Sequence, residues 1–182
     1  MHLLGKIKNA FLYRQLKNAL KKQPKSFIGK SFEAAKTVGI LFQTADLETE
    51  KNILLFAESL KEKGKKVYLL AFTEKSIEST SPYSVITKKE TDWLGRPKKE
   101  SAADSWLQKE LDCIMSLSSY KIPALDYVLA KGKAKMRVGM RTDQPWLFDV
   151  MIEGISDDIR KNLLFLSKIL QTIKSSSYEP VI

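Results

Sequence analysis

The 182-residue chain predicts an α/β fold: a three-layer sandwich with a mainly parallel sheet of about five strands, Rossmann-like or flavodoxin-like, preceded by a basic N-terminal helix. Two observations predict the sandwich. Apolar runs at Thr37-Val38-Gly39-Ile40-Leu41-Phe42, Val67-Tyr68-Leu69-Leu70-Ala71-Phe72 and Leu111-Asp112-Cys113-Ile114-Met115-Ser116-Leu117 have the length and composition of strands buried on both faces. Helical stripes fall between them, and a strand-to-strand crossover through a helix makes the strands parallel. A third observation sets the start apart. Residues 1–30 hold eight Lys or Arg and no Asp or Glu, whereas the other 152 residues balance 23 basic against 21 acidic side chains.

Taken in order, the segment from about Leu3 to Lys22 has good helix formers, no Gly or Pro after Gly5, and Pro24 beyond it as a stop. Leu3, Leu4, Ile7, Ala10 and Phe11 share one face; Leu12, Leu16, Ala19 and Leu20 share another, turned by more than roughly 100°. Two offset stripes fit a helix with different surroundings along each half, and the body of the protein is the first candidate to cover one of them. After the first strand, Asp46 and Thr49 are placed to cap a helix with Ile53, Ala57 and Leu60 inward, ended by Gly64.

Residues 73–100 are the least regular stretch. Ser79-Thr80-Ser81-Pro82 reads as a turn, Tyr83 to Thr87 as a short strand, and Asp92-Trp93-Leu94-Gly95-Arg96-Pro97 as an ordered loop. A helix from about Glu100 to Lys109 turns Ala103, Trp106 and Leu107 inward. From Leu111 to Met140 the chain reads strand, helix opened by Pro123, strand. Trp146 to Ile152 fits an edge strand, and Ile155, Ile159, Leu163, Leu166, Leu170 and Ile173 form the core-facing stripe of a last helix. This divides the chain into a basic helical arm (1–30), a single α/β domain (31–174) and a flexible tail (175–182).

Composition excludes several chemistries. The lone cysteine, Cys113, lies inside an apolar run, where a buried structural thiol and a reducing, cytoplasmic setting are expected. An acid-poor, Lys-rich start is also the composition of a mitochondrial presequence. No apolar run reaches the roughly 18 to 20 residues that span a bilayer. The only histidine is His2, so a Ser-His-Asp or Cys-His arrangement lacks a base in the body, and no Cys/His cluster offers zinc ligands. The glycines never reach dinucleotide-fingerprint or P-loop spacing. The expectation is therefore no cofactor, no metal and no catalytic residue singled out, with carboxylate or lysine catalysis left open.

Two sets of residues are candidates for binding. The first is cationic: Lys6, Lys8, Arg14, Lys17, Lys21, Lys22 and Lys25 in the arm, with Lys131, Lys133 and Lys135 forming a second basic feature that runs on to Arg137. Such a surface neutralises phosphates, although lysines flanking a strand also serve as a solvated rim. The second set lies at the carboxyl ends of the strands, where open parallel sheets bind ligands: Thr44, Asp46, Ser118, Arg141 and Asp143. Loop capping explains these equally well. Trp93 and Trp146 lie in or beside loops and are expected to anchor the core rather than to stack on bases.

The basic start, Val38-Gly39-Ile40-Leu41-Phe42, Gly64-Lys65-Lys66-Val67, Asp92-Trp93-Leu94-Gly95-Arg96-Pro97, Leu111-Asp112-Cys113-Ile114 and Arg137-Val138-Gly139 followed by Phe148-Asp149-Val150-Met151-Ile152 resemble an uncharacterised family of small basic bacterial α/β proteins. That resemblance covers nearly the whole chain and implies a fold without a mechanism. Locally, Leu111 to Gly139 is similar to a strand-helix-strand segment in the first domain of heptosyltransferase-type glycosyltransferases. The likeness covers under a fifth of the chain and implies a nucleotide-binding-like scaffold. The glycine-rich loop of those enzymes is missing here, and no catalytic residue carries over.

Three readings follow. The leading one is a non-enzymatic adaptor whose cationic helix docks on RNA, a ribosomal particle included. The second sends the same helix to an anionic membrane surface, with Leu3, Leu4, Ile7 and Phe11 inserted. The third is a small enzyme, or a degenerate relative of a glycosyltransferase, that binds a nucleotide or sugar phosphate at the strand ends. Charge partition favours a non-enzymatic role over a catalytic one.

Overall fold

A computed structural model describes residues 2–23, 32–44, 46–74, 81–118, 120–140, 143–152 and 158–172. Its helices are α1 (His2–Lys21), α2 (Leu47–Glu62), α3 (Ala102–Leu107), α4 (Pro123–Lys131) and α5 (Ile159–Thr172). Its strands are β1 (Thr37–Gln43), β2 (Lys66–Thr73), β3 (Ser84–Thr87), β4 (Glu110–Ser116), β5 (Lys133–Met140) and β6 (Val150–Ile152). Among the described residues the strands form one six-stranded sheet in the order β3-β2-β1-β4-β5-β6, and every pairing is parallel. The sheet has six strands where about five were expected, and the three-residue β6 is one of its edges. Only Val150–Ile152 of the expected Trp146–Ile152 strand pairs; Pro145–Leu147 forms a 3-10 turn, with Pro145 supplying its preset φ at the start.

The chain leaves β1 in one direction, to β2 and β3, then crosses back and builds β4, β5 and β6 on the other side. Right-handed crossovers running in opposite directions put their helices on opposite faces. Two cores result. Val38, Ile40 and Phe42 of β1 pack with Ile53, Ala57 and Leu60 of α2 and Leu163, Leu166 and Leu170 of α5. Leu41, on the other face, packs with Leu70, Phe72, Trp106 and the buried side of α4. Strand alternation therefore assigns each β1 residue to a core. Gly39 belongs where it is because the Trp106 ring lies against it, 2.7 Å from where a Cβ would sit.

Local signals account for the element ends. Asp46 caps α2, accepting from the Thr49 amide and hydroxyl at 2.8 Å each, and Gly64 ends that helix at φ +76°. Helix α3 is shorter than the expected Glu100 to Lys109; Ala103 and Trp106 are buried and Leu107 is half-buried. Cys113 is fully buried, and that burial pushes its thiol pKa up. Ile155 and Ile173, the Ser79–Pro82 turn apart from its last two residues, and the expected tail at 175–182 lie outside the described residues.

Helix α1 packs on the body. Leu12, Tyr13 and Leu16 are buried in the core shared with α3 and α4, so the second of the two offset stripes is covered by the body. Of the first, Ile7, Ala10 and Phe11 face outward, Ile7 being 59% and Phe11 50% exposed, while the side chains of Leu3 and Leu4 lie outside the described residues.

Candidate nucleic-acid interface and strand-end cleft

A shared cleft and two hydrogen-bonded ties place α1 along α4. Lys8, near the start of α1, and Pro123, the first residue of α4, line the same cleft. In the middle, the Tyr13 hydroxyl donates to the buried Asp126 carboxylate. At the far end, Gln23 Nε2 donates to the Ala130 carbonyl at 2.9 Å, while its Oε1 accepts from the Arg137 guanidinium. The two helices therefore run side by side in the same direction, from the carboxyl edge of the sheet towards its amino edge. Between Lys8 and Gln23 that path is roughly 22 Å at 1.5 Å per residue.

Docking of one face decides where the charge goes. Arg14, Lys17, Lys21 and Lys22 are exposed and Lys8 is half-exposed, and α1 contains no acidic residue to pair with them. Lys17 Nζ also lies 6.0 Å from the centre of the Trp146 ring, which meets Tyr13 edge-on. Trp146 is half-buried between the helix and the body, as an anchor should be. Of the remaining arm cations, Lys25 and the side chain of Lys6 lie outside the described residues.

The second basic feature divides. Lys131 ends α4, one residue beyond the carbonyl that Gln23 binds, and so joins Lys21 and Lys22 at that end of α1. Lys133 and Lys135 lie on β5 at the amino edge of the sheet, and Lys135 pairs with Asp112 at 2.6 Å. Arg137 turns inward: it is buried, and its guanidinium donates to the Leu129 and Gly132 carbonyls at the end of α4 and to the Ala134 carbonyl at the start of β5.

A cleft of about 790 Å³ opens at the carboxyl ends of β1 and β2. This is beside the point where the strand order reverses between β1 and β4, where doubly wound sheets bind ligands. Gln43, Phe72, Ile122 and Ala124 line it from the sheet and the start of α4; Lys88, Thr91, Asp92, Trp93 and Gly95 line it from the loop after β3; Tyr120 and Lys121 line it from the turn after β4. Ile122, the residue before α4, supplies no side-chain cap, so the positive end of that helix faces the cleft uncapped by its own cap residue.

Of the strand-end residues named from sequence, Thr44, Asp46, Ser118 and Asp143 do not line this cleft. Thr44 donates through its amide (3.1 Å) and hydroxyl (3.4 Å) to the Phe72 carbonyl, and Asp46 is the α2 cap. The buried Ser118 hydroxyl donates to the Tyr120 carbonyl at 3.0 Å, fixing the turn that holds Tyr120 out. Asp143 pairs with Lys121 at 2.6 Å, and Arg141 lies outside the described residues.

Trp93 is the main correction. It is 69% exposed, where a core anchor was expected, and Tyr120 is 74% exposed at the same cleft. Leu94 takes the inward slot instead and is 2% exposed. The turn points these two neighbours to opposite sides, and Leu94 is the one that the body covers.

Asp92 builds that turn. Its Oδ1 accepts from the Leu94 and Arg96 amides at 2.9 Å each and its Oδ2 from Arg96 Nε at 2.7 Å. Burial alone raises the Asp92 pKa, but these bonds outweigh it and hold the carboxylate below its ordinary range. Gly95 adopts φ +83°, and a Cβ there would sit 2.8 Å from Pro123 Cβ, so the loop seats directly on the start of α4.

Residues 8–173 match a family model, that of DUF6913. The chain belongs to DUF6913, a family of unknown function. A comparison with curated proteins finds no match. The DUF6913 match spans the chain from Lys8 through α5, and so takes in the docked helix as well as the sheet. Among the described residues of this DUF6913 chain, no helix is long and apolar enough to cross a membrane, and no group of three or more His, Cys, Asp or Glu is placed to hold a metal ion.

Proposed function

We propose that this protein is a non-enzymatic, RNA-associated adaptor of the cytoplasm, with α1 as its RNA-binding element and a ribosomal particle as the class of partner. One observation carries the reading. Leu12, Tyr13 and Leu16 bury one side of α1, so Arg14, Lys17, Lys21 and Lys22 project from the other as a fixed cationic row without an acid among them. Like charges on one helix repel, and a polyanion laid along the row relieves that repulsion while releasing its counterions. A preformed row also avoids the ordering cost that a flexible basic tail meets on binding.

The test is co-purification of tagged protein from lysate at low and high salt, with wild type compared with Lys17→Ala/Lys21→Ala/Lys22→Ala. All three side chains are exposed, so the fold is left alone; deleting the helix would uncover the core instead. Wild type is expected to carry RNA and ribosomal particles at low salt and to release them at high salt, with the variant carrying much less. Equal recovery of RNA by both proteins contradicts the proposal.

A second reading rests on Ile7 and Phe11, which stand exposed on the outer face of α1 beside Lys8 and Arg14. An apolar patch flanked by cations suits an anionic membrane surface. Phe11→Asp separates the readings: it abolishes sedimentation with anionic vesicles if lipid is the partner and leaves RNA recovery largely intact if RNA is.

A further inference from the structure

We infer that the cleft at the carboxyl ends of β1 and β2 is a nucleotide-binding site in which the Trp93 indole stacks on the base and Lys8, Lys88 and Lys121 face the phosphate. The inference goes beyond the RNA reading, because the cleft lies off the cationic row of α1 and its stacking surface works whether or not that row binds RNA.

The loop that carries Trp93 is built to hold an indole in water. Asp92 receives three hydrogen bonds from within the loop, its amide donates to the Arg96 carbonyl at 2.8 Å, and Thr91 and Pro97 bridge the loop base. Buried Leu94 and the contact of Gly95 with Pro123 lock the loop to the body. Exposing a large aromatic surface opposes folding, and here the inward position of the loop is filled by Leu94. A flat ring presented at a cleft by a fixed backbone is instead a stacking platform whose loop loses little entropy on binding.

The other walls fit the same ligand. Tyr120, equally exposed, is held at the cleft by the Ser118 hydroxyl and offers a second aromatic face. The ion pairs of the cleft's lysines are exposed: Lys88 lies 3.8 Å from Glu74, itself on the cleft wall, and Lys121 pairs with the 79%-exposed Asp143 while its ammonium also lies 5.9 Å from the centre of the Tyr13 ring. Ion pairs this exposed contribute little, so a phosphate displaces them readily. A cleft of about 790 Å³ is also within the size range of small-ligand sites.

Trp106 is buried and Trp146 half-buried, so quenching of the exposed Trp93 reports on this cleft. The experiment titrates full-length protein with 5′-nucleoside monophosphates and with an unstructured oligouridylate octamer, following tryptophan fluorescence. In parallel, anisotropy of the labelled octamer, with the monophosphates as competitors, is measured for wild type, Trp93→Ala, Trp93→Phe and the triple lysine variant of α1. Expected are quenching that disappears in Trp93→Phe, binding at least about fivefold weaker in Trp93→Ala, and near wild-type affinity in Trp93→Phe, which keeps a stacking ring. Quenching and competition by monophosphates at concentrations similar to the octamer's assign the site to free nucleotides; quenching by the octamer alone assigns it to RNA. If the triple lysine variant binds as wild type while Trp93→Ala is weak, the cleft stands and the α1 reading falls. Wild-type affinity in Trp93→Ala, or no quenching by any nucleotide or by the octamer, overturns the inference.

Discussion

The Tyr13 hydroxyl donates to the Asp126 carboxylate across the seam between α1 and α4, joining two residues 113 positions apart in a buried setting. This bond helps make the basic helix a fixed part of the molecule, and it has a pH signature. Burial pushes the Asp126 carboxyl up to about 6, opposed by the Tyr13 hydrogen bond and by Lys121. The same burial, reinforced by Asp126, raises the Tyr13 pKa, so Tyr13 stays a neutral donor.

An acid whose folded pKa lies above its unfolded value of about 3.9 favours the folded state most when protonated. Its contribution falls as pH rises from about 4 to about 6 and then levels off. Tyr13 supports the ionised form, so removing its hydroxyl costs more where Asp126 is charged. Tyr13→Phe is expected to lose about 1–3 kcal/mol at pH 7.5 and distinctly less at pH 5, measured by urea denaturation at both values. An equal loss at the two pH values contradicts this account of the seam.

Arg137 clamps both helices. Its buried guanidinium serves the Leu129 and Gly132 carbonyls at 2.9 Å each and holds the side-chain oxygen of Gln23. Burial lowers its pKa, partly offset by Asp149. Arg137→Met leaves these oxygens unpaired, and Arg137→Lys supplies a point charge where a planar fork is needed. Both are expected to destabilise by about 2–4 kcal/mol and to speed amide exchange in the last turn of α4. Wild-type stability in Arg137→Lys contradicts the clamp.

Two glycines separate packing from propensity. At Gly39 a Cβ would meet the Trp106 ring and Leu111 at 2.7 Å, so Gly39→Ala is expected to cost at least about 1–3 kcal/mol. At Gly5 nothing lies within 4 Å, and the residue sits inside α1, so Gly5→Ala is expected to stabilise by up to about 1 kcal/mol. Thermal denaturation of the two variants in opposite directions is the expected result; a loss at Gly5 contradicts it.

The central strands were legible because burial on both faces leaves an unbroken apolar run, and the alternation with helices fixed the parallel architecture. The order was not, because nothing in Thr37–Gln43 or Glu110–Ser116 states which edge of β1 receives β4. The short β3 and β6 carry only three or four residues each, too few for a period. In α1 the offset between the Leu12 and Ile7 stripes fits different surroundings for each, but the stripes alone do not state which one the body covers. The strand-end position of the cleft follows from the parallel sheet, but its lining does not follow from the polar strand-end residues, because Asp46 and Ser118 are spent on capping and turn closure. Trp93 was misread because a burial preference is an average over positions, and the neighbouring Leu94 had already filled the inward slot.

The most direct test of the α1 account is the salt dependence of binding between purified protein and an unstructured RNA oligomer, for wild type and for Lys17→Ala/Lys21→Ala/Lys22→Ala. Each cation that contacts a phosphate adds about 0.7 to the slope of log K against log salt concentration for single strands. The account predicts clear binding by wild type at low salt and a slope shallower by about 2 in the variant. Identical affinity and slope in the two proteins, or no binding by wild type at low salt, would contradict it.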